Sequence, residues 1–184
     1  MTKTILIGLG HKAQIGKDYA AAQLAKHFDV ERIAFADALK DDLTIIFEKQ
    51  GIDLKAIMND PTLKHLVRPL LVEYGCTVRK FKPDQWVDRA FQDKQLTHEI
   101  TVVTDVRFPN EAKRLKEYGG YYVDIIADVP PANETERACG IEMVKLADFT
   151  IENKFDGSYV ENLINLIYQI KAKHERIKRP NSTS

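Results

Sequence analysis

The sequence predicts an α/β protein in three layers, a five-stranded parallel sheet flanked by helices. Three observations carry that expectation. Apolar runs of strand length alternate with stretches whose apolar residues recur at helical spacing, and strands separated by helices pair in parallel. The first run, "TILIGLG", leads through a short turn containing Gly16-Lys17 into such a helical stretch. The composition, 44% apolar and 29% charged over 184 residues, is that of an ordinary globular chain long enough to bury one sizeable core.

"TILIGL" is the first strand, and Ala21, Leu24, Ala25 and Phe28 mark the helix after it. "RIAFA" is a second short strand, followed by a helix carrying Leu39, Leu43, Ile46 and Phe47. Between Pro61 and Tyr74, Leu63, Leu66, Val67, Leu70, Leu71 and Tyr74 share one face, which marks an amphipathic helix. From Gly75 to Asp84 the chain is expected to be irregular. "EITVVTDV" is the third strand, and Asn110 to Tyr118 a helix closed by Gly119-Gly120, where glycine relieves a left-handed cap. "YYVDII" and "DFTIEN" are the fourth and fifth strands. "DVPPANETERACG" between them reads as a mobile segment. Val160, Leu163, Ile164, Ile167 and Ile170 mark the last helix, and residues 175–184 a flexible tail.

Charge and cysteine content narrow the function. With 27 basic and 27 acidic residues, no protein-wide field draws the chain to nucleic acid or a membrane. The basic stretch "KAKHERIKR" has no aromatic platform beside it and reads as a solvated helix end. Cys76 and Cys139 form no CxxC pair, so they read as thiols of a reducing compartment. No apolar run reaches membrane-spanning length and the start lacks a secretory signal, so the expected location is the cytoplasm.

The chemistry concentrates in "HKAQIGKDYAAAQLAKHF", residues 11–28. A phosphate-binding loop needs glycines that let backbone N–H groups curl round an anion at a helix N-terminus. It also needs a lysine for the outer phosphates and an oxygen ligand for Mg²⁺. Gly16-Lys17 meets the first two demands, and Asp18 stands where Ser or Thr is usual. The loop departs from the pattern at His11, in place of the opening glycine. Either histidine tolerates a positive φ there, or Gly10 opens a longer loop. The competing reading is a surface turn that caps a helix.

Asp105 ends the third strand, where a second carboxylate can orient Mg²⁺ or its waters. Arg107 follows in "DVRFPNEA"; with Arg68 and Arg79 it offers forks of donors suited to a phosphate. Trp86 reads first as a core residue, with stacking on a base as the alternative.

Five blocks give the chain a resemblance. "GHKAQIGKDYAA", "FADALKDDL", "RPLLVEYGCTVRKFKPDQWVDRA", "VTDVRFPNEAKRLKEYGG" and "ADFTIENKFDGSYVENL" resemble, in the same order, segments of the bacteriophage deoxynucleoside monophosphate kinases, adenylate-kinase-like P-loop proteins. The resemblance implies a P-loop kinase fold over 1–184, with an acceptor-binding helical region at 37–98 and a lid at 128–146. It implies transfer of the γ-phosphoryl of ATP, with Mg²⁺, to a deoxynucleoside 5′-monophosphate. ATP would lie against His11, Lys12, Ala13, Gln14, Ile15, Gly16, Lys17, Asp18, Tyr19, Asn153 and Lys154. Asp18 and Asp105 would hold the metal. Asp37, Lys40, Arg68, Tyr74, Gly75, Arg79, Trp86, Arg107, Asn110 and Glu111 would surround the acceptor. Lys17, Arg79, Arg107 and the lid residue Arg137 would stabilise the transferring phosphoryl group.

Alternatives are a kinase acting on dephospho-coenzyme A or phosphomevalonate, and an accessory protein that binds ATP without transfer. Accepted bases, discrimination against ribose and oligomeric state (a homodimer included) stay open at this level.

Overall fold

The computed structural model describes residues 4–92, 94, 96–131 and 134–178. It comprises two compact units, one formed by Met1–Arg32 with Leu96–Ser184, the other by Ile33–Gln95.

The first unit is built on a five-stranded parallel sheet. Its strands are β1 (Ile5–Gly10), β2 (Val30–Ile33), β3 (Ile100–Val106), β4 (Tyr121–Ile126) and β5 (Phe149–Glu152), in the order β2-β3-β1-β4-β5. Its helices are α1 (Lys17–Leu24), α6 (Pro109–Glu117), α7 (Glu134–Leu146) and α8 (Ser158–Lys178). β1 lies centrally, parallel to both β3 and β4, and is buried along its whole length. That explains why it reads as a continuous apolar run rather than an alternating one. Its residues alternate between the two faces. Ile5, Ile7 and Leu9 join a core with Leu24 of α1 and Leu163 and Ile167 of α8. On the other face, a Cβ added at Gly8 would strike Leu115, so glycine there lets α6 lie close on the sheet. The sheet is thus covered on both sides. At its carboxyl end Gly10 is in register with Val106 and Asp124, which brings the ends of β1, β3 and β4 together. Ligands of such sheets bind beyond those ends.

The second unit is helical: α2 (Phe35–Glu48), α3 (Leu54–Asn59), α4 (Lys64–Phe81) and α5 (Gln85–Phe91). Here the structure corrects the sequence reading in several places. The second strand lies earlier than "RIAFA", and Phe35 already belongs to α2. The expected break at Gly75 does not occur. Helix α4 runs through it to Phe81, and the absence of a Cβ there lets α4 approach Leu39 of α2; an added Cβ would sit 2.6 Å from Leu39 Cδ1. The stripe that α4 buries passes through Val67 and Gly75, while Leu66 is 63% exposed and Leu63 and Leu70 are also exposed. α3, unmarked by apolar periodicity, is capped by Asp53, whose Oδ1 accepts the Ala56 N–H at 2.9 Å.

In the first unit, the stretch read as mobile is helical from Glu134, with 132–133 outside the described residues. Residues 175–178 of the expected tail belong to α8, and 179–184 lie outside the description. Among the described residues, no helix is long and apolar enough to cross a membrane.

Candidate functional site

Residues 11–16 join β1 to α1, and most of their side chains turn inward. Ile15 is fully buried. Lys12 Nζ donates to the carbonyls of Ala127 and Val129 at 3.1 and 2.8 Å. Asn153 Nδ2 donates to the Ile15 carbonyl at 3.1 Å, and the Tyr159 hydroxyl to the Gly16 carbonyl at 3.0 Å. The loop is therefore braced from behind by Asn153, the residue after β5, and by α8. What it presents is backbone, curled by left-handed residues at Gln14 (φ 60°) and Gly16 (φ 81°) and leading into the N-terminus of α1. Glycine is required at 16, because a Cβ there would also strike the Tyr159 hydroxyl. Such a terminus offers N–H groups and a positive dipole end to an anion.

The position of His11 is resolved by its partners. Its imidazole is buried, with Nδ1 2.9 Å from Asp124 Oδ1, and the Tyr122 hydroxyl donates to the same oxygen at 3.3 Å. Neither route proposed for this residue holds: the left-handed φ falls at Gln14, and Gly10 completes β1. A carboxylate as buried as Asp124 requires a hydrogen-bonding partner, and the imidazole supplies it.

Lys17 begins α1 and is only 7% exposed, its ammonium donating to the Lys12 carbonyl. Burial, joined by the like charge of Arg107, brings its pKa down to about 8; the carboxylates of Glu136, Asp105 and Asp18 work the other way. Four charged groups thus act on Lys17 at the carboxyl end of the sheet. Asp18 is exposed; desolvation by the surrounding protein works upward, but hydrogen bonding and charge from Arg32, 3.0 Å away, prevail and hold its carboxyl below the usual range. Mg²⁺ in kinases is held by one or two carboxylates together with substrate phosphates. Asp18 and Asp105, both within electrostatic range of Lys17, fit that donor set. Among the described residues no group of three or more His, Cys, Asp or Glu forms a cage of its own.

Several expected ligand residues are engaged otherwise. Asn153 is buried as a brace of the loop, as above, and Lys154 pairs with Glu152 at 3.5 Å. Tyr19 is exposed in the first turn of α1. Glu111 is buried, and its Oε2 accepts the N–H groups of Arg107 and Phe108 at 2.8 and 3.1 Å, so it fixes the turn that presents Arg107. Arg107 itself is exposed, and Asn110 is partly buried in the first turn of α6. Arg137 is exposed and pairs with Glu134 within α7 at 3.7 Å.

In the second unit, Asp37 and Lys40 pair at 2.6 Å, the Tyr74 hydroxyl donates to Asp42 at 3.1 Å, and Arg68 is exposed while Arg79 is half-buried. Trp86 is 2% exposed and donates its indole N–H to the Gly75 carbonyl at 3.2 Å. It offers no open face for stacking on a base, and its core reading stands.

The sequence reading missed Glu136, Asp124, Tyr159 and Phe155. Glu136 is buried on α7 and accepts the Ala13 N–H at 2.7 Å, within a segment read as mobile. Phe155 is an exposed aromatic held at φ 60°, an unusual conformation for a bulky side chain. Of these, Glu136 alone had a local signal, its place in "NETERAC".

A parallel sheet, a braced phosphate-type loop entering a helix, a buried lysine and two nearby carboxylates define a small-molecule P-loop kinase. Residues 9–120, more than half of the chain, match the sequence profile of the phosphomevalonate kinase family, and the chain belongs to that family. Such kinases use ATP and Mg²⁺ generally.

Among solved structures the chain is similar to TT1252 from Thermus thermophilus, at TM-score 0.45 and 15% identity, over 91% of this chain and 98% of that one. It is also similar to shikimate kinase from Aquifex aeolicus, at TM-score 0.43 and 14% identity, over 91% and 98%. Shikimate kinase from Bacteroides thetaiotaomicron gives 0.42 and 11%, over 89% and 98%. A comparison with curated protein sequences gives no match.

Proposed function

We propose that this protein transfers the γ-phosphoryl group of ATP to a phosphate group on a small phosphorylated acceptor. The observation that carries the reading is Lys17, buried at the start of α1 behind a braced backbone loop and within electrostatic range of Arg107 and Asp105. Phosphoryl transfer asks for two anions held in line and for positive charge where negative charge gathers. Lys17 and Arg107 supply that charge, the loop amides hold the donor phosphates, and Asp18 and Asp105 orient the metal. Mg²⁺, when bound, neutralises charge on the donor oxygens. Phe155 and Tyr19 are assigned to the neighbourhood of the donor base.

Family membership makes phosphomevalonate the first acceptor to test. Deoxynucleoside monophosphates are the second, favoured by "VTDVRFPNEAKRLKEYGG" and the other blocks that resemble the bacteriophage enzymes. The buried ring of Trp86 removes the aromatic platform offered for a base, which supports that order.

The deciding experiment is a coupled ADP assay across phosphomevalonate, dephospho-coenzyme A and the deoxy- and ribonucleoside monophosphates. Acceptor-dependent ADP release with one class is expected, and its loss in Lys17→Ala with an unchanged circular dichroism spectrum. ATP binding with no turnover on any acceptor would make the protein an accessory nucleotide binder.

A further inference from the structure

The loop amides and the lysine are the groups with which a phosphate loop holds its anion. Here one of those amides and the lysine are engaged within the chain: Ala13 N–H donates to Glu136 Oε1 at 2.7 Å, and Lys17 to the Lys12 carbonyl. Glu136 lies in the first turn of α7, is 5% exposed, and its charge acts on Lys17. A carboxylate is the side-chain group most like a phosphate oxygen, an anionic acceptor for N–H donors. The region around α7 meets the loop at two further points. Lys12 Nζ holds the carbonyls of Ala127 and Val129 before the helix, and a Cβ on Gly140 would lie 3.6 Å from His11 Nε2.

We propose that Glu136 is an internal stand-in for a donor phosphate. Its carboxylate and the donor compete for the Ala13 N–H and for Lys17, so that filling the loop expels Glu136 and loosens α7, and product release draws it back. The proposal rests on the phosphate-loop reading and adds to it a named competitor. Donor affinity is then lower than the loop alone would give, by the fraction of time the carboxylate holds the amide. A carboxylate that merely braces the loop, as Asn153 does, would stay in place with the donor bound.

The test uses the full chain and two ligands with Mg²⁺, ATP and inorganic tripolyphosphate, the second lacking any base. Calorimetric titration of wild type, Glu136→Gln and Glu136→Ala is expected to show tighter binding in both variants. The gain should be roughly tenfold in Glu136→Ala, as for loss of a charge-assisted hydrogen bond, and smaller in Glu136→Gln, which keeps an acceptor oxygen. In wild type, saturating tripolyphosphate should speed amide exchange over residues 136–146, and this response should vanish in the variants. If Glu136→Ala does not fold, Glu136→Gln and the wild-type exchange decide the matter. Equal or weaker binding by the variants, or α7 better protected with ligand, would overturn the proposal while leaving the loop assignment intact. Failure of wild type to bind either ligand would overturn both.

Discussion

Lys17→Met should remove catalysis and at the same time stabilise the fold, a combination expected only if the lysine is held at a stability penalty. A lysine brought from its ordinary 10.5 to about 8 disfavours the folded, charged state by about 3 kcal/mol. Methionine keeps an unbranched apolar stem in the same space and carries no charge. The variant loses the donation to the Lys12 carbonyl, which costs about 1 kcal/mol. At pH 7 the variant should therefore be about 2 kcal/mol more stable than wild type. The sign of the pH dependence follows from where the proton sits. Below pH 8 the lysine is charged both folded and unfolded, and the full penalty is present. Between about 8 and 10.5 the folded protein releases the proton while the unfolded chain keeps it, so wild type gains stability as pH rises. Above 10.5 the penalty is gone and wild type should lead by about 1 kcal/mol. Urea unfolding followed by circular dichroism at pH 7, 9 and 10.5 measures this directly. A variant less stable at pH 7, or a difference that does not change with pH, would refute the buried-charge account of Lys17.

Arg107→Ala should lower kcat/KM by about 10³ with an unchanged unfolding midpoint, since the side chain is exposed; a loss under about tenfold would remove it from the site. His11→Ala leaves the Asp124 carboxylate buried without its imidazole and should destabilise by about 3–5 kcal/mol, with partial recovery in His11→Ala/Asp124→Asn. An effect below about 1 kcal/mol in urea unfolding would show that the buried carboxylate does not depend on the imidazole. Glu111→Gln keeps an oxygen for the Arg107 and Phe108 amides, so the acceptor KM should stay within about twofold, and a tenfold rise would return Glu111 to the ligand.

Much of the first unit was legible because its signals are local. β1, β3 and β4 are apolar over most of their length, since strands covered on both faces have no solvent side to mark. Gly16-Lys17 announced a turn leading into a helix, and Asp105, read as ending the third strand, lies one residue short of the end of β3. Glu111 was read for its type and position, yet whether a carboxylate holds a turn or a ligand depends on which N–H groups stand before it. The same holds for Asn153, whose amide meets a carbonyl 138 residues away in the chain.

In the second unit the leucine periodicity of α4 marked a helix but not the face that packs. The absent side chain at Gly75 decides that, and a local reading takes glycine for a break. Trp86 is similar, its place settled by a carbonyl on the preceding helix.

Composition, spacing and the Gly-Lys turn thus determined the layered fold, the loop and its lysine, because each arises within a few residues along the chain. The tertiary structure alone decided that His11 serves Asp124, that Glu136 reaches the loop and that burial unsettles the charge on Lys17. Those properties belong to pairs of groups distant in sequence, and their energies exist only once folding has removed water from between them.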